Sequence, residues 1–185
     1  LISLLPLMLF LGDTSMSLFP SVKAGKRSDT GTLERLVPSG GQVTLDLDMA
    51  RLTGQDAAAK QAESLRFSAA GDSFFTVIVY NGELRGPQPS SLAIAPQASA
   101  FLPEKLAASY NQLVIESLPT GGNYDLVIRD SQSGFIFFYV EGYQFDYEPT
   151  QRNLKIIDGR LLVSHEFAEA MGRPDSARDV VGTLS

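Results

Sequence analysis

Residues 111–130 read NQLVIESLPTGGNYDLVIRD, and this stretch decides the fold class. Two runs rich in branched aliphatic residues, 111–118 and 124–130, flank Pro119-Thr120-Gly121-Gly122. Branched side chains pack well on a pleated surface, and the Pro and Gly residues supply the reversal, so the stretch predicts two antiparallel neighbouring strands.

The same pattern extends outward in both directions. Upstream, Val43, Leu45 and Leu47 alternate with Thr44, Asp46 and Asp48, as a half-buried strand requires. Residues 65–68 also alternate. Residues 74–80, FFTVIVY, are apolar on both faces and predict a central strand covered on both sides. Asn81-Gly82 follows at once, and both residues tolerate the positive φ of a tight hairpin turn. Downstream, residues 135–140 (FIFFYV) again are apolar on both faces, and Gly142 marks a bend. Tyr143, Phe145 and Tyr147 then alternate with Gln144, Asp146 and Glu148. Residues 154–157 and 160–163 predict a second hairpin, over Asp158-Gly159.

About eight or nine short strands separated by turn chemistry predict a mainly β domain, an antiparallel β-sandwich or jelly roll. Helix-favouring residues are confined to 55–64, to 103–109 and to the last twenty or so positions. There Ser164 can cap a helix from His165, with Gly172 closing it and Pro174 beyond. Asp175 can cap a second short helix reaching Val181. The expected organisation is a sandwich over 41–163, followed by short helices over 164–185.

The N-terminal part reads differently. Residues 1–11, LISLLPLMLFL, form an unbroken apolar run, closed by Gly12-Asp13 and followed by Ser15 and Ser17 in small-x-small spacing. That is the pattern of a secretory signal cleaved after Ser17. The run falls short of the roughly 20 apolar residues of a membrane-spanning helix. Pro6 would break a helix there. No Met or basic residue precedes Leu1, so the chain reads as part of a longer frame that could carry further domains. Residues 18–40 are turn-rich, with Lys23, Lys26 and Arg27 in a flexible arm.

Composition bounds the function. The 185 residues carry a formal net charge of −6, which gives no electrostatic reason to bind nucleic acid. Absence of Cys excludes disulfides and thiolate metal sites and favours a bacterial over an animal source, while the signal-like segment gives the secreted or extracytoplasmic location. A structural calcium held by oxygen ligands suits an exported domain, though no D-x-[DN]-x-[DN]-G loop is present. No other cofactor is expected.

Two candidate sites follow. The alternating Tyr143, Phe145 and Tyr147 could present an aromatic face to a glycan. His165-Glu166-Phe167-Ala168-Glu169, followed by Gly172, resembles over eight residues the HExxHxxG zinc helix of metzincin-type proteases. By that resemblance His165 would be a ligand and Glu166 the base, with Glu169 standing in the place of the second His. The third His of that family has no counterpart, because His165 is the sole histidine. No G-x-S-x-G elbow or phosphate-binding glycine loop occurs. The expectation is therefore an exported, non-enzymatic structural or recognition module with a glycan or protein ligand and no integral membrane span. The alternatives are a carbohydrate-binding module and a hydrolase with a degenerate HExxE metal helix.

Overall fold

The computed structural model describes residues 31–54, 62–71, 73–119 and 125–185. The signal-like segment, the Lys23/Lys26/Arg27 cluster and most of the helix expected over 55–64 lie outside the described residues. In chain order the elements are β1 (Leu33–Leu36), β2 (Gln42–Asp48), α1 (Met49–Thr53), β3 (Ala62–Ala69), β4 (Val77–Tyr80), β5 (Glu83–Pro87) and β6 (Ser90–Pro96). They continue with α2 (Glu104–Ser109), β7 (Leu113–Ser117), β8 (Leu126–Asp130), β9 (Ile136–Glu141), β10 (Gln144–Glu148) and β11 (Asn153–Ile157). The last are β12 (Gly159–Val163), α3 (His165–Ala170) and β13 (Val180–Leu184).

The chain is mainly β and antiparallel, as expected. Its main sheet, however, is not divided into two facing layers. β2, β3, β6, β7, β8, β9, β12 and β13 each pair with the next in that order, and β13 pairs back onto β2 to close an eight-stranded barrel. The same inward-outward alternation serves a sandwich and a barrel. What differs is where the outermost strands find partners, and closure satisfies both edges at once.

Inward positions are apolar and fully buried, among them Leu45, Leu65, Phe67, Leu113, Ile115, Ile128, Phe138 and Leu161. Between β7 and β8, Ile115 stands opposite Ile128, as the opening stretch predicts. Outward positions of the same strands carry Asp46 and Arg66, which are exposed, and the Glu116–Arg129 ion pair.

The two ends of the barrel differ. All three α-helices join strands at one end, where β2, β6 and β12 finish. There α1 is capped by the Asp48 carboxylate, which accepts from Arg51 N at 3.0 Å, and it ends at Gly54 with φ 72°. In α3 the Ser164 hydroxyl accepts from Phe167 N at 2.9 Å and donates to the Ile136 carbonyl, tying the helix to β9. Gly172 (φ 69°) closes α3, as its sequence signal implies. Phe167 is thereby buried edge-to-face on Phe137 and Phe138, with ring centroids 5.1 and 5.7 Å away. This end of the interior is filled.

At the other end two excursions leave the barrel. β1, β4 and β5 form a three-stranded sheet, and β10 with β11 forms a hairpin. Four expectations are corrected here. Residues 74–80 do not form a doubly covered central strand. β4 lies between β1 and β5, but only one of its faces is covered: Val77 and Val79 are buried, whereas Tyr80 is exposed, and Phe74 just before the strand is exposed too. Asp158-Gly159 is not a hairpin turn. Asp158 does adopt φ 59°, but β11 pairs with β10, whereas β12 leaves to join β9 and β13. Residues 180–184 are the closing strand rather than the end of a helix. Residues 33–36, read as part of an arm, pair with β4. By contrast, Asn81 (φ 53°) and Gly82 (φ 79°) form the expected β4–β5 turn.

Closure requires Gly182. A Cβ there would collide with the Asp46 carbonyl on β2. Gly182→Ala should therefore lower the melting temperature and speed amide exchange selectively in β2 and β13. Unchanged exchange in both strands would contradict closure through this seam.

Asp130 is buried at the helix end. Burial alone would raise its pKa. Hydrogen bonds from Ser109, the Ser133 and Gln132 amides and Gln112 outweigh that and hold the carboxyl well below the usual carboxylate range. With a depressed folded-state pKa, its stabilisation is present at neutral pH and is lost as pH falls below about 4. Asp130→Asn should flatten the acid limb of a stability-versus-pH curve. An acid limb identical to that of the unaltered protein would contradict this.

Candidate ligand-binding site

At the end opposite the helices, the barrel opens into a pocket of about 810 Å³. Its floor is made by inward side chains at the mouth of five strands: Val43, Ala69, Leu92, Ile115 and Leu184. Val43, Ala69, Leu92 and Ile115 face inward because each lies two residues from a buried interior position of its own strand, as Val43 does from Leu45, and Leu184 stands opposite Leu45 across the β13–β2 pairing.

One wall comes from the segment leading into β4. Phe74 N donates to the Ser91 carbonyl at 3.1 Å, and Thr76 N donates to the Ser90 hydroxyl at 3.1 Å. The buried Ser73 hydroxyl accepts from Ala93 N at 3.0 Å. These bonds lay residues 73–76 along the start of β6, so Phe75 and Val77 turn into the pocket. The Pro38-Ser39-Gly40-Gly41 turn forms part of the rim, anchored where Ala69 N donates to the Gly41 carbonyl at 3.0 Å.

The β10–β11 hairpin supplies the remaining wall through Tyr147, Leu154 and Ile156. Gly142 (φ 70°) and Asp158 (φ 59°) redirect the chain at its two ends. At its base Arg160 and Glu141 pair across β12 and β9 at 2.6 Å.

The three aromatic candidates share the inner face of this hairpin and are half-buried. Phe145 stands opposite Ile156, and Tyr147 opposite Leu154. Tyr143 and Phe145 meet edge-to-face, 5.2 Å apart at 76°, so they do not form a flat platform. Burial and the nearby Asp125 raise the Tyr143 pKa. Of the three, Tyr147 reaches the pocket.

The HExxE residues lie on α3, away from the pocket. His165, Glu166 and Glu169 are exposed, and the Glu166 carboxylate accepts from Ile136 N at 3.0 Å. Among the described residues, no three His, Cys, Asp or Glu side chains are placed to share a metal ion.

The pocket's floor had no local signal. Val43, Leu92 and Ile115 read as ordinary strand residues, Leu184 lies beyond the last expected helix, and only closure of the barrel makes them neighbours. Arg152 and Lys155, the charged side chains among the lining residues, likewise carried no motif.

Comparison with known protein families, curated proteins and solved structures gives no match. Among the described residues, no helix is long and apolar enough to cross a membrane.

The two roles on α3 can be separated experimentally. Ser164→Ala should cost about 1 kcal/mol through loss of the cap, seen as a lower denaturation midpoint. His165→Ala and Glu169→Ala should leave that midpoint unchanged. A zinc-induced rise in melting temperature that both of these variants abolish would instead mark a metal site.

Proposed function

We propose that this protein is an exported, non-enzymatic binding module that holds one small, largely apolar molecule in the mouth of its barrel. The carrying observation is the apolar pocket at the open end, whose volume falls within the range of about 300–1,000 Å³ used for small-molecule sites. Eight-stranded barrels have an interior that side chains just fill or that accommodates one small ligand. Here the helix end is filled and the mouth is not.

Three further features support this reading. The signal-like run at 1–11 favours export to a secreted or extracytoplasmic location. The described lining residues include no His, Asp or Glu, so the pocket offers no side chain of the usual general-base type. The outward barrel positions bear Asp46, Arg66, Glu116 and Arg129, the reverse of the apolar-outward pattern of a membrane-spanning barrel. A glycan-bearing ligand is the second reading, favoured by Tyr147 lying beside Ser39, Gln42 and Asn153 in the lining.

The test is titration with N-phenyl-1-naphthylamine, a neutral apolar dye. The dye should bind at one equivalent per chain. Ala69→Trp, which fills the floor, should weaken binding about tenfold, as loss of a buried ring's contacts would. Leu33→Ser, on the exposed face of the small sheet, should leave binding unchanged. Absence of binding, or equal binding by the properly folded Ala69→Trp variant, would overturn the proposal.

A further inference from the structure

The lining is chemically asymmetric, and the asymmetry specifies the kind of ligand. The floor is hydrocarbon. The charged residues that border the pocket, Arg152 and Lys155, are both cationic and both belong to the hairpin, although the chain as a whole carries −6, and Lys155 turns its side chain to the outer face of β11. From this, and resting on the reading of the mouth as a ligand pocket, we infer that the ligand is an amphipathic anion of the long-chain carboxylate type. Its tail lies on Val43, Leu92 and Ile115, and its carboxylate meets Arg152.

Arg152 is the cation available for this role. Lys155 points outward on β11, directly opposite Asp146 and near Glu148, so acidic neighbours balance its charge. Arg152 lies in the turn between β10 and β11, held at φ 51°. Its one acidic partner in the described residues is Glu34, at 3.6 Å. The two side chains are 71 % and 42 % exposed, and an ion pair so open to water contributes little. A carboxylate delivered by a buried tail competes on better terms. The tail supplies the binding energy, whereas Glu34 must spend side-chain freedom to hold its place. A planar guanidinium also accepts a carboxylate through two parallel hydrogen bonds.

The same asymmetry argues against the alternatives. A cationic amphiphile would bring its head group to Arg152, and no carboxylate side chain lines the pocket to receive it. A neutral molecule would leave the guanidinium unused.

Three ligands with one tail decide the matter: dodecanoate, dodecanol and dodecyltrimethylammonium, each displacing the neutral dye from the intact chain. Dodecanoate should bind about tenfold more tightly than dodecanol, as one charge-assisted contact implies. Dodecyltrimethylammonium should be the weakest. Arg152→Gln should erase the preference for dodecanoate over dodecanol, both measured on that variant, and Arg152→Glu should reverse the order of the two ions. Equal affinities for the three ligands, or a preference that survives Arg152→Gln, would overturn the anion inference while leaving the pocket intact. Failure of the dye to bind at all would remove the pocket reading, and this inference with it.

Discussion

The seam between β13 and β2 is the constraint on which the rest of the structure depends. Leu184 pairs with Leu45, Thr183 with Asp46 and Gly182 with Leu47. Just beyond the register, Thr44 and Ser185 exchange reciprocal backbone hydrogen bonds at 2.7 and 3.0 Å. Without this contact β2 and β13 would each present a row of unpaired backbone groups, and the interior would open to water along a full strand. The seam tolerates no side chain at Gly182, so a residue of weak strand propensity becomes the one that fits. Val43 and Leu184, which lie on either side of the seam, both floor the pocket. Closure and the candidate site therefore share residues.

The barrel's two ends divide its labour. At the helix end, capped turns deliver Phe167 onto Phe137 and Phe138, and Tyr110 meets Phe67 edge-to-face at 5.4 Å. Aromatic rings in this arrangement fill space densely and exclude a ligand. At the mouth, the inward residues are aliphatic and smaller: Val43, Ala69, Leu92, Ile115 and Leu184. Volume that rings occupy at one end is left open at the other, and the β4 segment and the β10–β11 hairpin border it. The hairpin makes no strand pairing with the barrel, so its position rests on side-chain packing and on the Arg160–Glu141 pair at its base.

Local chemistry was legible wherever a few adjacent residues decide the outcome. Asn81-Gly82, the β7–β8 pair, the Ser164 cap and the Gly172 stop all follow from contacts within a few residues. Partner choice between distant strands was not. Asp158 has the backbone conformation of a hairpin turn, yet its flanking strands join different sheets, a difference no local pattern encodes. Residues 180–184 sit just past the Pro174–Ser176 turn, which Asp175 does not cap as expected, and nothing nearby shows that Asp46 waits on another strand. Phe74–Tyr80 is apolar throughout, but whether a second face is covered depends on the size of the sheet that receives it. The pocket was illegible for the same reason. Its floor is five unremarkable aliphatic residues until the barrel closes, and the aromatic triplet, conspicuous in sequence, contributes Tyr147 to the lining while Tyr143 and Phe145 pack on each other.

The central claim is that a closed, internally apolar barrel presents a ligand pocket at its mouth. Methyl-resolved NMR during titration with dodecanoate tests it most directly. Shifts confined to methyl groups that line the mouth, on the floor (Val43, Ala69, Leu92, Ile115 and Leu184) and on the walls (Val77, Leu154 and Ile156), with Leu52, Leu106 and Ala168 at the helix end unmoved, are the expected result. Unmoved mouth methyls, with shifts appearing instead on the outer-face Leu33 or at the helix end, would contradict it.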